Sequence, residues 1–244
     1  MKTALCLYGQ PRDAQVKSRQ IIDNVVNPNN CDVFFHTWYD NNDLSLHKMT
    51  PGHENRQLSP SINNHLVEIY KPKIFHVDAQ KKFYHKNFTA TEENIEACWN
   101  WSRGYDRKEF IENKTSAIHS MWYSIMSSIR LKEEYSHANN FVYDCVILSR
   151  FDVCPDSKVD VSQYDLKNII TRNYDYPRDE VSDWFLFSSN SNMNILGSIF
   201  YYIDYHYQNI KISPQKIWTN EAFIREHIKI FNIKNSKGNF DVTF

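Results

Sequence analysis

The sequence predicts an α/β fold in which helices flank a mostly parallel central sheet, and it predicts one domain over residues 1–244. Strand-like and helix-like segments alternate from the N-terminus, which favours a layered sheet over a helical bundle or a β-sandwich. Residues 32–36 (DVFFH) contain a short apolar run that is typical of a strand buried on both faces. A chain of 244 residues with 41% hydrophobic residues is large enough for one extensive core.

The first half of the chain shows this alternation most clearly. A helix with Val16, Ile22 and Val25 on its apolar face is predicted to follow the first strand and to end near 27–28. The other predicted elements are a strand at 3–8, a strand at 32–36, a long polar loop at 40–60, a helix at 62–70 and a strand at 73–77. Residues 78–114 show weak periodicity, and no element is predicted there.

Apolar residues recur at helical spacing again from Thr115 onward. Thr115 and Ser116 are typical N-cap residues, so they predict the start of a long amphipathic helix. The elements predicted after it are strands at 141–148, 168–172 and 183–188, one helix that carries Met193, Leu196, Phe200 and Ile203, and a last helix at 219–230.

Composition and motifs exclude several functions. The formal net charge is -1, which does not favour non-specific binding to nucleic acid. No apolar run approaches the ~20 residues of a membrane helix, and the N-terminus does not resemble a secretory signal, so we expect no membrane span. Five cysteines without C-x-x-C spacing favour free thiols and a cytoplasmic location. The sequence also lacks the motifs of zinc enzymes, hydrolases, kinases and dinucleotide enzymes.

Polar residues follow two of the predicted strands, at 9–12 (GQPR) and at 149–152 (SRFD). Open α/β sheets bind ligands beyond the ends of such strands. Arg150 and Asp152 are two positions apart on an extended segment and project to the same side, where they can meet phosphate groups or a cation. The alternatives are a plain turn at 9–12 and a structural ion pair between Arg150 and Asp152.

Two acidic residues are candidate catalytic bases. Asp183 precedes the apolar run 184–187, where partial burial can raise the pKa of its carboxyl group. Its alternative role is to cap a turn. Glu221 lies near the N-terminus of the last predicted helix, where an i,i+4 pair with Arg225 accounts for it equally well.

Four motifs occur in order along the chain: residues 4–12 (ALCLYGQPR), 32–38 (DVFFHTW), 148–152 (LSRFD) and 182–188 (SDWFLFS). Together they resemble the motifs of small GT-A-type glycosyltransferases from bacterial surface-glycan loci and from viruses. The resemblance covers residues 3–230. It implies a Rossmann-like GT-A fold and transfer of a sugar from a nucleotide-sugar donor to a hydroxyl acceptor.

The resemblance also implies roles for individual residues. The donor would bind at Tyr8, Gly9, Gln10, Arg12, Arg150 and Asp152. Asp152 would hold a divalent cation, Mn²⁺ or Mg²⁺, with His227 as a second metal ligand. The alternative is that His227 is an ordinary surface or core residue of its helix. The sequence departs from the usual Asp-x-Asp form, since Arg150 stands at the first acidic position. Asp183 would be the catalytic acid or base that faces the sugar or the acceptor, and Glu221 would be its substitute.

The substrates stay open at this stage. A UDP-sugar is the donor that we expect first, and glycans, lipid-linked sugars and protein hydroxyls are the acceptor classes. A modified base in DNA is a further acceptor that the net charge of -1 does not favour. If the protein is viral, its location would be the host cytoplasm.

Two other functions compete with the transferase. A nucleotidyltransferase would share the sheet and the metal, but it needs a Gly- and Lys-rich loop after the first strand. A non-catalytic carbohydrate-binding protein would use aromatic residues for stacking, although such modules are usually all-β. The aromatic candidates are Trp99, Trp101, Tyr105 and Tyr123, whereas Trp122 fits the apolar face of the long helix.

Overall fold

The computed structural model describes residues 1–45, 57–83, 107–172, 181–209 and 220–243, and it describes residues 107–112 and 114 by their backbone alone. The strands are β1 (Thr3–Gly9), β2 (Asp32–Trp38), β3 (Ile74–Asp78), β4 (Cys145–Arg150), β5 (Cys154–Pro155), β6 (Ile169–Thr171), β7 (Phe185–Ser189), β8 (Asn235–Lys237) and β9 (Val242–Thr243).

The helices of these ranges are α1 (Ala14–Ile21), α2 (Ile62–Tyr70), α3 (Arg107–Ala138), α4 (Asn190–Gly197), α5 (Ile199–Asn209) and α6 (Asn220–Ile230). A π-helical turn, Ile22–Val26, and a short turn, Asn27–Asn29, continue α1, and Val161–Gln163 form a 3₁₀ turn. Within the described ranges, none of the helices has the length and apolar composition needed to cross a membrane.

The central sheet of the described residues has the strand order β3-β2-β1-β4-β7-β6-β8, and β5 pairs with β9 in a small second sheet. β1 lies between β2 and β4 and is parallel to both, and β3 is parallel to β2. β7 runs antiparallel to β4 and β6, while β8 is parallel to β6. The prediction of an α/β fold with a mostly parallel sheet between helices is therefore confirmed.

Both faces of the central strands β1, β2 and β4 are buried, as their apolar sequences require. Leu5 and Leu7 of β1 pack into the cluster that α1 and α2 cover. Ala4 and Cys6 point to the opposite face, where they pack in a cluster with Trp122 of α3 and with residues of α4, α5 and α6. Side chains alternate between faces along a strand, so consecutive residues of β1 enter two different clusters.

The start of the long helix differs from the prediction. α3 begins at Arg107, and Thr115 and Ser116 are buried within it. The Ser116 hydroxyl oxygen accepts a hydrogen bond of 3.0 Å from the backbone N–H of Phe83. The prediction of an N-cap at Thr115 and Ser116 was wrong because this serine hydroxyl binds the segment after β3 instead of the start of a helix.

Other predicted elements shift in detail. Val16 is 76% exposed, and α1 instead buries Ala14, Ser18 and Ile21. The single helix predicted over Met193–Ile203 is two helices, α4 and α5. A Cβ atom at Gly197, the last residue of α4, would lie 2.7 Å from Cδ1 of Ile129, so the absence of a side chain lets α4 approach α3 closely. Part of the loop predicted at 40–60 lies outside the described residues.

A buried histidine pair joins α5 to α6. Nε2 of His227 donates to the carbonyl oxygen of Ile195 at 2.9 Å, because a carbonyl can only accept. Nδ1 of the neutral His227 ring then accepts from Nε2 of His206 at 3.0 Å. Burial lowers the pKa of both rings to about 4, and the charge of His227 adds to this effect at His206. Both histidines are therefore neutral at pH 7.

We predict that acid weakens the fold through this pair. A histidine whose pKa in the folded state lies below its unfolded value of ~6.5 binds fewer protons when folded. Its contribution to the free energy of unfolding is therefore complete above pH ~6.5 and is lost as the pH falls towards 4. Lowering the pH from 7 to 5 should reduce the free energy of unfolding by on the order of 1 kcal/mol for each ring. Urea titrations at the two pH values measure this loss.

His206→Gln should reduce this pH-dependent loss, because it removes one of the two titrating rings. The matched control is His137→Gln, at an exposed residue of α3, which should keep the wild-type loss. Equal losses in wild type and His206→Gln would show that the pair does not titrate as described.

Candidate functional site

A cleft of about 350 Å³ lies beyond the carboxyl ends of β1, β2 and β4. Its other walls come from α3, from the residues just before β7 and from the N-terminus of α6. The residues that line it are Tyr8, Gly9, Gln10, Arg12, Trp38, Gln80, Ser116, Ala117, Ile118, Ser120, Met121, Arg150, Asp183, Trp184, Asn220 and Glu221.

The structure brings most of the predicted site residues together in this cleft. Tyr8, Gly9, Gln10, Arg12, Arg150, Asp183 and Glu221 all line it. Asp152 contacts two of these residues, Arg12 and Arg150. The arrangement follows from the parallel register, in which Tyr8 of β1 is paired with Arg150 of β4. Their roles in binding and catalysis stay predictions.

Two arginines share one carboxylate at the end of β4. Nε and Nη2 of Arg150 donate to the two carboxylate oxygens of Asp152 at 2.8 and 2.6 Å. Nη1 of Arg12 donates to Oδ2 of the same carboxylate at 3.4 Å. Burial by itself raises the pKa of Asp152, but the charges and hydrogen bonds of the arginines outweigh burial and hold it below its usual value. Asp152 is therefore ionised at neutral pH.

Asp183 is buried at the edge of the cleft. Its Oδ2 accepts a hydrogen bond of 3.0 Å from Nδ2 of Asn220, and its Oδ1 has no hydrogen-bond partner among the described residues. The hydroxyl of Tyr8 donates to its backbone carbonyl oxygen. Burial raises the pKa of Asp183, while Arg150, Asn220 and Glu221 oppose this shift only in part. Asp183 thus lies close to both Glu221 and Arg150, and all three residues line the cleft.

A buried hydrogen-bond chain fixes the turn after β1, and the sequence analysis missed it. Gly9 has a φ of +94° and donates its backbone N–H to Oγ of Ser124 at 2.8 Å. Oγ of Ser124 lies 2.8 Å from Nδ1 of His36, and Nε2 of His36 lies 3.3 Å from Oδ2 of Asp78. Burial lowers the pKa of His36 to about 4, although Asp78 opposes the shift, so the ring is neutral at pH 7.

The partners of His36 fix the direction of each bond in this chain. The Asp78 carboxylate can only accept, so Nε2 of His36 donates to it, and Nδ1 accepts from the Ser124 hydroxyl. The Ser124 oxygen in turn accepts from Gly9. A histidine inside an apolar strand was a sequence signal for a buried polar contact, but nothing in the sequence identified its partners on α3 and β3.

A second set of polar groups lines the cleft beside α3. Nε2 of Gln10 donates to Oε1 of Gln80 at 3.4 Å, and Nε2 of Gln80 donates to Oγ of Ser120 at 3.0 Å. The ring of Trp38 lies near this set and packs on Tyr123 at 5.3 Å between ring centroids. Trp122 is buried in the core as predicted, whereas Trp99, Trp101 and Tyr105 lie outside the described residues.

The structure does not bring His227 to Asp152. Its Nε2 carries the hydrogen donated to Ile195, and its Nδ1 accepts from His206, so neither nitrogen of the neutral ring has a free lone pair for a metal. We therefore remove His227 from the predicted metal ligands. The physical reason is that α6 turns this ring into the interface with α4 and α5.

The described residues do not fit the divalent cation implied by the resemblance. Mn²⁺ and Mg²⁺ prefer several oxygen ligands, and both oxygens of Asp152 already accept from arginines. No group of three or more His, Cys, Asp or Glu side chains in the described ranges is placed to hold a metal ion.

Comparisons with known proteins give a structural match at low identity and low TM-score. No protein-family model and no curated protein matches the sequence. Among solved structures, the chain is similar to the apo form of the glycosyltransferase GlyE from Streptococcus pneumoniae TIGR4, with 10% sequence identity and a TM-score of 0.40. The similarity covers 98% of this chain but 45% of that chain.

We predict that Ser124 stabilises the turn at Gly9. Ser124→Ala removes the acceptor of the Gly9 N–H and the donor to His36, which should lower the free energy of unfolding by about 1–3 kcal/mol. The matched control is Ser128→Ala, because the buried Ser128 hydroxyl donates to Ile125 within its own helix. Urea denaturation measures both variants, and equal losses would contradict a specific role for Ser124.

Proposed function

We propose that the chain transfers a sugar from a nucleotide-sugar donor to a hydroxyl acceptor in this cleft. One observation carries the proposal: two guanidinium groups and two carboxyl groups line one cleft beyond the ends of parallel strands. The guanidinium groups suit a diphosphate, and the carboxyl groups suit proton transfer. The four sequence motifs that resemble GT-A-type glycosyltransferases support the same reaction.

Arg12 and Arg150 are the proposed diphosphate-binding residues. Transfer breaks the bond between the anomeric carbon of the sugar and a phosphate oxygen, and the leaving nucleoside diphosphate takes the electron pair. Both arginines line the cleft, and each is partly buried, with 32% and 21% of the side chain exposed. A charge-assisted hydrogen bond is stronger at such a site than in water, so each arginine stabilises the charge on the leaving group.

Asp183 is the proposed base for the acceptor. The acceptor oxygen forms a bond to the anomeric carbon, and its proton passes to the carboxylate of Asp183 as the bond to phosphate breaks. Burial raises the pKa of this carboxyl group, which makes its ionised form a stronger base than an exposed aspartate. Asp183 lines the cleft, where the acceptor hydroxyl would bind. Glu221, in the same cleft, is the second candidate.

The first test is release of free nucleoside diphosphate from UDP-, GDP- and dTDP-sugars, with a CMP-sugar as a monophosphate control. A thermal-shift panel of the same donors selects the one that binds, because a ligand at about 100 times its Kd stabilises the fold by ~2.7 kcal/mol. If no nucleoside diphosphate is released from any of these donors, the proposed transferase activity is contradicted. A binding protein would show the thermal shift without release.

We predict that Arg12→Gln and Arg150→Gln weaken binding of the selected donor and of its nucleoside diphosphate by about 1.5–3 kcal/mol, since each removes a charged hydrogen bond. Binding of the free nucleoside should change much less. Calorimetry measures all three ligands, and Arg130→Gln, on the exposed face of α3, is the matched control. Equal losses for nucleoside and diphosphate would indicate a packing role instead.

We predict that Asp183→Asn lowers kcat by about 10²–10⁴-fold with nearly unchanged donor affinity, because it removes the base but keeps the shape of the side chain. Glu221→Gln should lower kcat less. Turnover and melting temperature are measured for both variants. A lower melting temperature for Asp183→Asn with wild-type kcat per folded molecule would leave Asp183 with a structural role only.

A further inference from the structure

The Asp152 carboxylate is held by arginines and does not line the cleft. Its side chain is 8% exposed, and three guanidinium N–H groups donate to its two oxygens. Arg12 and Arg150, by contrast, both line the cleft. A ligand that enters the cleft therefore meets guanidinium groups first.

A divalent cation bound to Asp152 would have two unfavourable contacts. It would lie next to two positive guanidinium groups, and adjacent like charges repel strongly in a partly buried site. It would also need to displace a bidentate arginine–carboxylate pair, which is among the strong charge-assisted interactions in proteins. The position that would supply a second carboxylate in an Asp-x-Asp motif is Arg150 itself.

From this arrangement we infer that the site binds the donor diphosphate without a divalent cation: Arg12 and Arg150 supply the positive charge, and Asp152 is their counter-ion. Asp152 orients both arginines, since its two oxygens fix the plane of the Arg150 guanidinium and the position of Nη1 of Arg12. Asp152 is thus a positioning residue. The inference rests on the proposed function, and it narrows how the donor is bound.

The test uses calorimetric titration of inorganic pyrophosphate, UDP, GDP and dTDP into the wild type and Arg150→Gln, in EDTA and in manganese. We expect at least one of these diphosphates to bind the wild type in EDTA, with a Kd within about threefold of that in manganese, and Arg150→Gln to weaken it by about tenfold or more. In a second arm, free Mn²⁺ is titrated into the wild type and Asp152→Asn by electron paramagnetic resonance. We expect the wild type and Asp152→Asn to bind manganese with equal affinity.

Two outcomes would overturn the inference, and they differ in what they imply. Diphosphate binding that requires manganese, together with a manganese site that Asp152→Asn removes, would make Asp152 a metal ligand and leave the proposed transferase intact. If no diphosphate binds in either buffer, the inference and the proposed function fail together.

Discussion

The parallel pairing of β1 with both β2 and β4 is the constraint on which the candidate site depends. This register places Tyr8 beside His36 on one side and beside Arg150 on the other. The three side chains end up in one row because residues paired in register share a face of the sheet. Parallel strands also end at the same edge, so the turn at Gly9 and the segment at Asp152 meet there. A shift of one residue would turn this row to the opposite face.

Charge pairing then determines what the edge can bind. Buried charges need partners, and Asp152 provides one for Arg12 and Arg150 while leaving their guanidinium groups at the cleft wall. Asp183 is in the opposite situation, because it is buried with one oxygen unpartnered and its pKa is raised. The proposed function uses this contrast, with the two guanidinium groups for an anion and Asp183 for proton transfer.

The fold was largely predictable because its signals are local. The apolar runs at 3–8 and 32–36 and the helical spacing of apolar residues at 62–70 are local patterns that a single sequence reveals. β8 (NSK) is short, polar and mostly exposed, so it has no such signal and depends on pairing with β6. Ser116 was predicted to be a helix cap because serine is a typical N-cap residue. The sequence could not show the true partner of its hydroxyl oxygen, the N–H of Phe83, because that residue is distant in sequence.

The candidate site was predictable only in its strand-end residues. Arg150 and Asp183 adjoin apolar strands that indicated where polar groups would emerge. The hydrogen-bond chain from Gly9 through Ser124 and His36 to Asp78, in contrast, requires four elements to be packed first: β1, α3, β2 and β3. His227 looked like a metal ligand until α6 was placed against α4 and α5.

The most direct measurement is a crystal structure of the protein with a bound nucleoside diphosphate. We expect phosphate oxygens within hydrogen-bond distance of both Arg12 and Arg150, and Asp183 on the side where the transferred sugar would lie. A diphosphate bound away from these arginines would contradict the proposed site.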